Sequence, residues 1–97
     1  MKLMTKQLEK RFAQVGSQEH VKDPIVIAKY FFPMSPATWY ITEYHPEQRI
    51  FFGYVTGMLE NEWGYSSLDE FEKTRVYGVK IERDLYFEEK RFSELGL

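Results

Sequence analysis

A chain of 97 residues has room for one hydrophobic core, so a single domain spanning 1–97 is expected. A hydrophobic share of 43% is too high for a disordered chain, and a net charge of −2 excludes the global basic field that marks nucleic-acid binders. With no cysteine there is neither a disulfide framework nor a thiolate metal site, and a reducing, cytoplasmic setting is expected.

In chain order, residues 5–15 carry Leu8, Phe12 and Val15 on one helical face, with Thr5 placed to cap the helix and Gly16 to end it. Lys2, Lys6, Lys10 and Arg11 against Glu9 give this N-terminal stretch a net charge of +3. No apolar leader core lies within Met1–Val15. The longest apolar run, Ile25–Met34, is broken by Lys29 and Pro33 and is too short to span a bilayer, so no membrane partner is expected. Pro24 opens a strand over 25–32 that is apolar on both faces, the mark of a strand with neighbours on both sides.

Residues 38–44 and 49–56 read as a hairpin across His45-Pro46-Glu47-Gln48. Pairing Tyr44 with Arg49 sets Tyr40 opposite Gly53, where the tyrosine ring would cover the gap, and Ile41 opposite Phe52. One face then carries Trp39, Ile41, Ile50, Phe52 and Tyr54, the expected core, with Glu43 at its end. Further strands are expected near 58–65 and 79–87. Ser67 and Glu70 form a capping-box spacing that opens a helix over 68–75, with Leu68 and Phe71 inward. Phe92 and Leu95 are expected to pin the C-terminal segment. The fold class is α+β: short helices at 5–15 and 68–75 packed on one face of a small antiparallel sheet.

The pattern offers little for catalysis. His20 and His45 are the only imidazoles and lack metal-ligand spacing, no glycine run forms a phosphate cradle, and the serines occupy cap and turn positions. No catalytic residue, metal or cofactor is assigned. Glu43 with Glu82, Arg83 and Asp84 is the one constellation of note. Read structurally, Arg83 bridges the carboxylates into an ion network; read functionally, Glu43 would meet Glu82 or Asp84 across a pocket as a carboxylate hydrolase.

The segments Trp39–Glu43, Phe51-Phe52-Gly53-Tyr54-Val55-x-Gly57, Gly64-Tyr65-Ser66-Ser67-Leu68-x-Glu70 and Ile81–Phe87 occur in order along the chain. In this series the chain resembles a family of small prokaryotic proteins catalogued as domain of unknown function 2958. It departs from that family at Lys90-Arg91-Phe92, where a proline-containing stretch is expected. The resemblance implies no activity, cofactor or catalytic residue. It implies an origin on mobile elements such as plasmids or phages.

The remaining signal is charge beside aromatic rings. Residues 43–72 hold seven acids against Arg49 alone, a net −6, interleaved with Tyr44, Phe51, Tyr54, Trp63 and Tyr65. Acids on a rigid sheet edge with aromatic anchors suit docking on a basic surface. Glu43, Glu60, Glu62, Trp63, Tyr65 and Glu72 are the expected interaction surface of a non-enzymatic module for an unidentified protein partner. An inhibitor of a host nucleic-acid-handling or defence complex is one form of this reading. The same acids also serve solubility alone. The alternative is a nucleic-acid accessory protein using Lys2, Lys6, Lys10 and Arg11 with Tyr30 and Tyr40 as stacking platforms.

Overall fold

The computed structural model describes all 97 residues. Helix α1 spans Lys6–Val15. The Thr5 hydroxyl accepts the Leu8 N–H at 3.0 Å, and the Gly16 N–H closes the other end on the Phe12 carbonyl. Phe12 is buried, while Leu8 and Val15 pack beside it on the core. The expected strand over 25–32 is two short strands, β1 (Ile25–Val26) and β2 (Ala28–Phe31), which find different partners.

The hairpin follows as β3 (Thr38–His45) and β4 (Ile50–Thr56). Its turn is Pro46–Arg49, one residue later than expected, with Arg49 at φ 55°. Next come β5 (Glu62–Ser67) and α2 (Leu68–Lys73), where the Ser67 hydroxyl accepts the Glu70 N–H at 3.1 Å. The region 79–87 is not one strand. A tight hairpin joins β6 (Arg75–Val76) to β7 (Val79–Lys80), and β8 (Glu82–Arg83) returns to the main sheet. β9 (Lys90–Arg91) pairs with β1, so the departure at Lys90-Arg91-Phe92 is a strand leading into a short 3-10 helix, Phe92–Leu95.

The main sheet is antiparallel in the order β5-β4-β3-β2-β8, with the small β1-β9 and β6-β7 pairs beside it. Both helices lie on one face. Phe12 from α1 and Phe71 from α2 each touch the Phe51 ring, and Phe71 also meets Tyr30 and Trp39. Ring centroids in this cluster lie 4.8–6.3 Å apart, and each such pair adds about 0.5–1.5 kcal/mol to the area it buries. Tyr30 is fully buried, and its hydroxyl donates to the Leu3 carbonyl at 2.6 Å. Burial pushes its ionisation well above the usual tyrosine range. Tyr30 is therefore a core residue and not the exposed stacking platform expected from the sequence.

The core face of the hairpin also differs from expectation. Phe51 is fully buried, while Phe52 is half-buried on the opposite face. A β-bulge at Thr42 is the cause: Ile41 pairs with Gly53 but Glu43 with Phe52, so the strand alternation reverses between them. Trp39 and Ile41 point inward before the bulge, and Tyr44 packs on the core after it. Gly53 is not a gap covered by Tyr40. A Cβ there would overlap the Tyr40 carbonyl, so close approach of the two backbones demands glycine.

The bulge is filled by one buried amide. Gln18 donates through Nε2 to the Ile25 and Thr42 carbonyls, both at 2.8 Å, and accepts the Ile25 N–H at 2.7 Å. It stands in for the ladder bonds that β1 and β3 cannot make to each other there.

The C-terminal segment is tied back by polar contacts. Arg11 meets Glu89 through two hydrogen bonds of 2.8 Å, and Asp23 accepts from the Ser93 hydroxyl at 2.6 Å and the Ser93 N–H at 2.9 Å. The Ser93 bonds, hydroxyl first, hold the Asp23 carboxyl below its ordinary value. A lowered folded-state value gives stability that is complete above about pH 4 and is lost as pH falls through the folded value. Ser93→Ala should move the Asp23 titration up toward the ordinary carboxylate range, which carboxyl 13C NMR reads directly.

Candidate interaction surface at the β5 edge

β5 ends the sheet, and no strand of the chain lies on its outer side. The Leu68 N–H donates to the Arg49 carbonyl at 3.0 Å, just beyond the Ile50–Ser67 pair. That bond fixes the phase of the antiparallel ladder: Ser66, Gly64 and Glu62 exchange main-chain bonds with β4, whereas Trp63 and Tyr65 turn theirs outward. The edge thus presents unpaired N–H and C=O groups from two aromatic residues.

The two faces of β5 differ because its side chains alternate. On the outer face Trp63 stands opposite Tyr54, and Tyr65 opposite Phe52. Trp63 also stacks near-parallel on Phe52 at 5.9 Å and meets Phe92 at 4.8 Å. Phe92 thereby pins the C-terminal helix, as expected. Tyr65 is 72% exposed. Beside these rings lies a hollow of about 470 Å3 that also takes in Lys22, Glu43 and His45. Glu43 accepts the Gln18 N–H at 3.0 Å and lies 3.5 Å from His45 Nε2.

The inner face of β5 is stripped of bulk: Gly64 and Ser66 lie where larger residues would meet α2. A groove of about 700 Å3 results, with Trp39, Val55 and Phe71 as its apolar floor and Met58, Leu59, Glu60, Glu62 and Glu70 at its rim. Leu59 is fully exposed. None of Glu60, Glu62 and Glu70 has a cationic partner. A Cβ added at Gly64 meets no atom within 4 Å, and its φ lies outside the left-handed region. Nothing in the chain requires glycine there, although glycine weakens a strand by roughly 0.5–1 kcal/mol relative to alanine. Gly64→Val should accordingly keep or slightly raise the melting midpoint while filling the groove from its wall; a clear loss of stability would contradict the open space.

The expected surface residues divide. Glu60, Glu62, Trp63 and Tyr65 come together around β5. Glu43 lies across the outer hollow from them, a half-buried carboxylate engaged by Gln18. Glu72 leaves the group: with Asp69 it holds Arg49, at 2.6 and 2.7 Å. At the Arg49 guanidinium, burial works against the charge, but Glu72 and Asp69 prevail and raise its pKa. Sequence reasoning missed Met58, Leu59 and Glu70; an apolar Met-Leu pair between Gly57 and Glu60 was the available signal for the rim.

The expected ion network does not form. Arg83 Nε donates to the Lys2 carbonyl at 3.3 Å, Asp84 faces Lys29 at 3.6 Å, and Glu43 sits two strands away from β8 with its own partners. The juxtaposition of Glu43, Glu82 and Asp84 that a carboxylate hydrolase needs is therefore missing. Of the basic N-terminal stripe, Arg11 is engaged by Glu89; the Tyr40 ring, on the sheet, is instead faced by Lys29 of β2, whose Nζ sits 5.7 Å over it. No group of three or more His, Cys, Asp or Glu could hold a metal ion, and no helix is long and apolar enough to cross a membrane.

Fold and surface together define a small α+β protein whose aromatic-rich sheet has one open, acid-rimmed edge. The chain belongs to the family described as Protein of unknown function (DUF2958), whose model matches residues 3–94. No curated protein and no solved structure matches it.

Proposed function

We propose that this protein is a non-enzymatic binding module that docks a basic surface of a partner protein against the β5 side of its sheet. The observation that carries this reading is the groove beside Gly64, whose apolar floor is ringed by three carboxylates without cationic partners. Acids left unpaired around an apolar floor provide both steering and a desolvated contact for a lysine- or arginine-rich partner. Trp63 and Tyr65 supply rigid anchors of the kind that dominate interface energetics. A partner that normally grips nucleic-acid phosphates carries the matching charge, so inhibition of a nucleic-acid-handling complex is the specific form this reading favours.

The test is co-purification from expressing host cells of the tagged protein, a Glu60→Lys/Glu62→Lys variant, and a Glu9→Lys/Glu88→Lys variant of equal charge change. A partner recovered with the wild type and the second variant, and lost with the first, is the expected result. Equal recovery with all three would remove the electrostatic basis of the reading.

A further inference from the structure

We infer that the partner supplies an extended segment bearing lysine or arginine at alternate positions, which adds to β5 as a sixth strand of the main sheet. This inference rests on the binding role proposed above and specifies how the partner is held. Three features of β5 converge on it.

The first is the outward main chain of Trp63 and Tyr65, a row of donors and acceptors that an incoming strand can satisfy. The second is that the inner face beside the edge is hollow, about 700 Å3, while the outer face carries the exposed Tyr65 ring. Side chains of an added strand alternate between the two faces, so every second residue meets the inner groove and the others lie beside the Trp63 and Tyr65 rings. The third is Gly64, whose missing side chain leaves space that no part of this chain occupies.

Charge selects the occupant. On the inner face a lysine or arginine lays its aliphatic stem along Trp39, Val55 and Phe71 while its head reaches Glu60, Glu62 and Glu70. On the outer face the exposed rings of Trp63 and Tyr65 accept an apolar side chain. A second copy of this chain paired edge to edge would instead bring another set of unpaired acids to the same rim, where like charges repel.

The test is an NMR titration of the intact protein with a synthetic six-residue peptide alternating Lys and Val, matched in length to β5, and with its Glu–Val counterpart. The Lys–Val peptide should slow amide exchange at Trp63 and Tyr65 by about tenfold at saturation, and the Glu–Val peptide should not. Tyr65→Ala should weaken binding by removing the ring, whereas Tyr65→Pro should abolish it by also removing the outward N–H. Proline at that position takes no bond from β4, so the fold is expected to persist. If Tyr65→Pro nonetheless unfolds, the wild-type exchange data decide alone. Equal affinity of the alanine and proline variants would overturn strand addition while leaving the binding face standing. Binding that ignores Glu60→Lys/Glu62→Lys would instead overturn the face itself. Failure of the Lys–Val peptide to perturb β5, or concentration-dependent protection of Trp63 and Tyr65 without peptide, would overturn the inference, the latter in favour of a second copy.

Discussion

Phe51→Ala should destabilise the protein by about 3–5 kcal/mol in urea unfolding, against about 2 kcal/mol or less for Phe52→Ala. The two residues are adjacent and chemically identical, so the difference isolates their surroundings. Phe51 is fully buried and its ring touches Phe12, Tyr30, Tyr44 and Phe71, joining both helices to the sheet. Truncating it leaves a cavity bounded by rings on rigid elements, which cannot collapse to fill it. Phe52 stacks on Trp63 and Tyr65 at a half-open surface, where water replaces what is removed. The reverse order of effects would mean that the bulge at Thr42 is absent and the hairpin faces the other way.

The second large effect belongs to Gln18. Gln18→Leu keeps the volume but leaves the Ile25 N–H, the Ile25 carbonyl and the Thr42 carbonyl without the amide that now satisfies them. Stranding a buried polar group costs about 1–3 kcal/mol, so a loss of about 3 kcal/mol or more is expected from equilibrium unfolding. A loss under about 1 kcal/mol would show that β1 and β3 close on each other directly once the amide is gone. Gln18 also holds Glu43 through its main-chain N–H, which leucine keeps, so a shift of the outer-hollow NMR signals in the variant would report movement of the loop that carries residue 18.

These two residues also mark where sequence reasoning stopped. The caps at Thr5 and Ser67, the helices they open and the existence of the hairpin were legible because each is set by residues within a few positions of one another. The hairpin register was not. It depends on a bulge stabilised by a glutamine lying more than twenty positions upstream, a polar residue in a stretch that reads only as loop. The bulge moved the core from Phe52 to Phe51. The split at Ile27 was hidden for a similar reason: β1 leaves the main sheet for a two-residue pairing with β9, too short to show any alternation.

The candidate surface was legible in part. Counting charge located the acids, and their interleaving with Trp63 and Tyr65 pointed to β5. Counting could not separate acids with partners from acids without them. Glu72 drops out because the left-handed turn at Arg49 aims its guanidinium at α2, a consequence of tertiary structure alone. Arg83 was expected to bridge Glu43, Glu82 and Asp84 because arginine pairs readily with carboxylates, yet Arg83 donates to the Lys2 carbonyl and Asp84 faces Lys29.

Amide hydrogen exchange on the isolated protein bears most directly on whether the sheet carries a vacant border. Trp63 and Tyr65 should exchange at least about tenfold faster than Glu62, Gly64 and Ser66, an alternating pattern along a single strand. Uniform protection across these five positions would contradict it, because every main-chain group of β5 would then already be engaged.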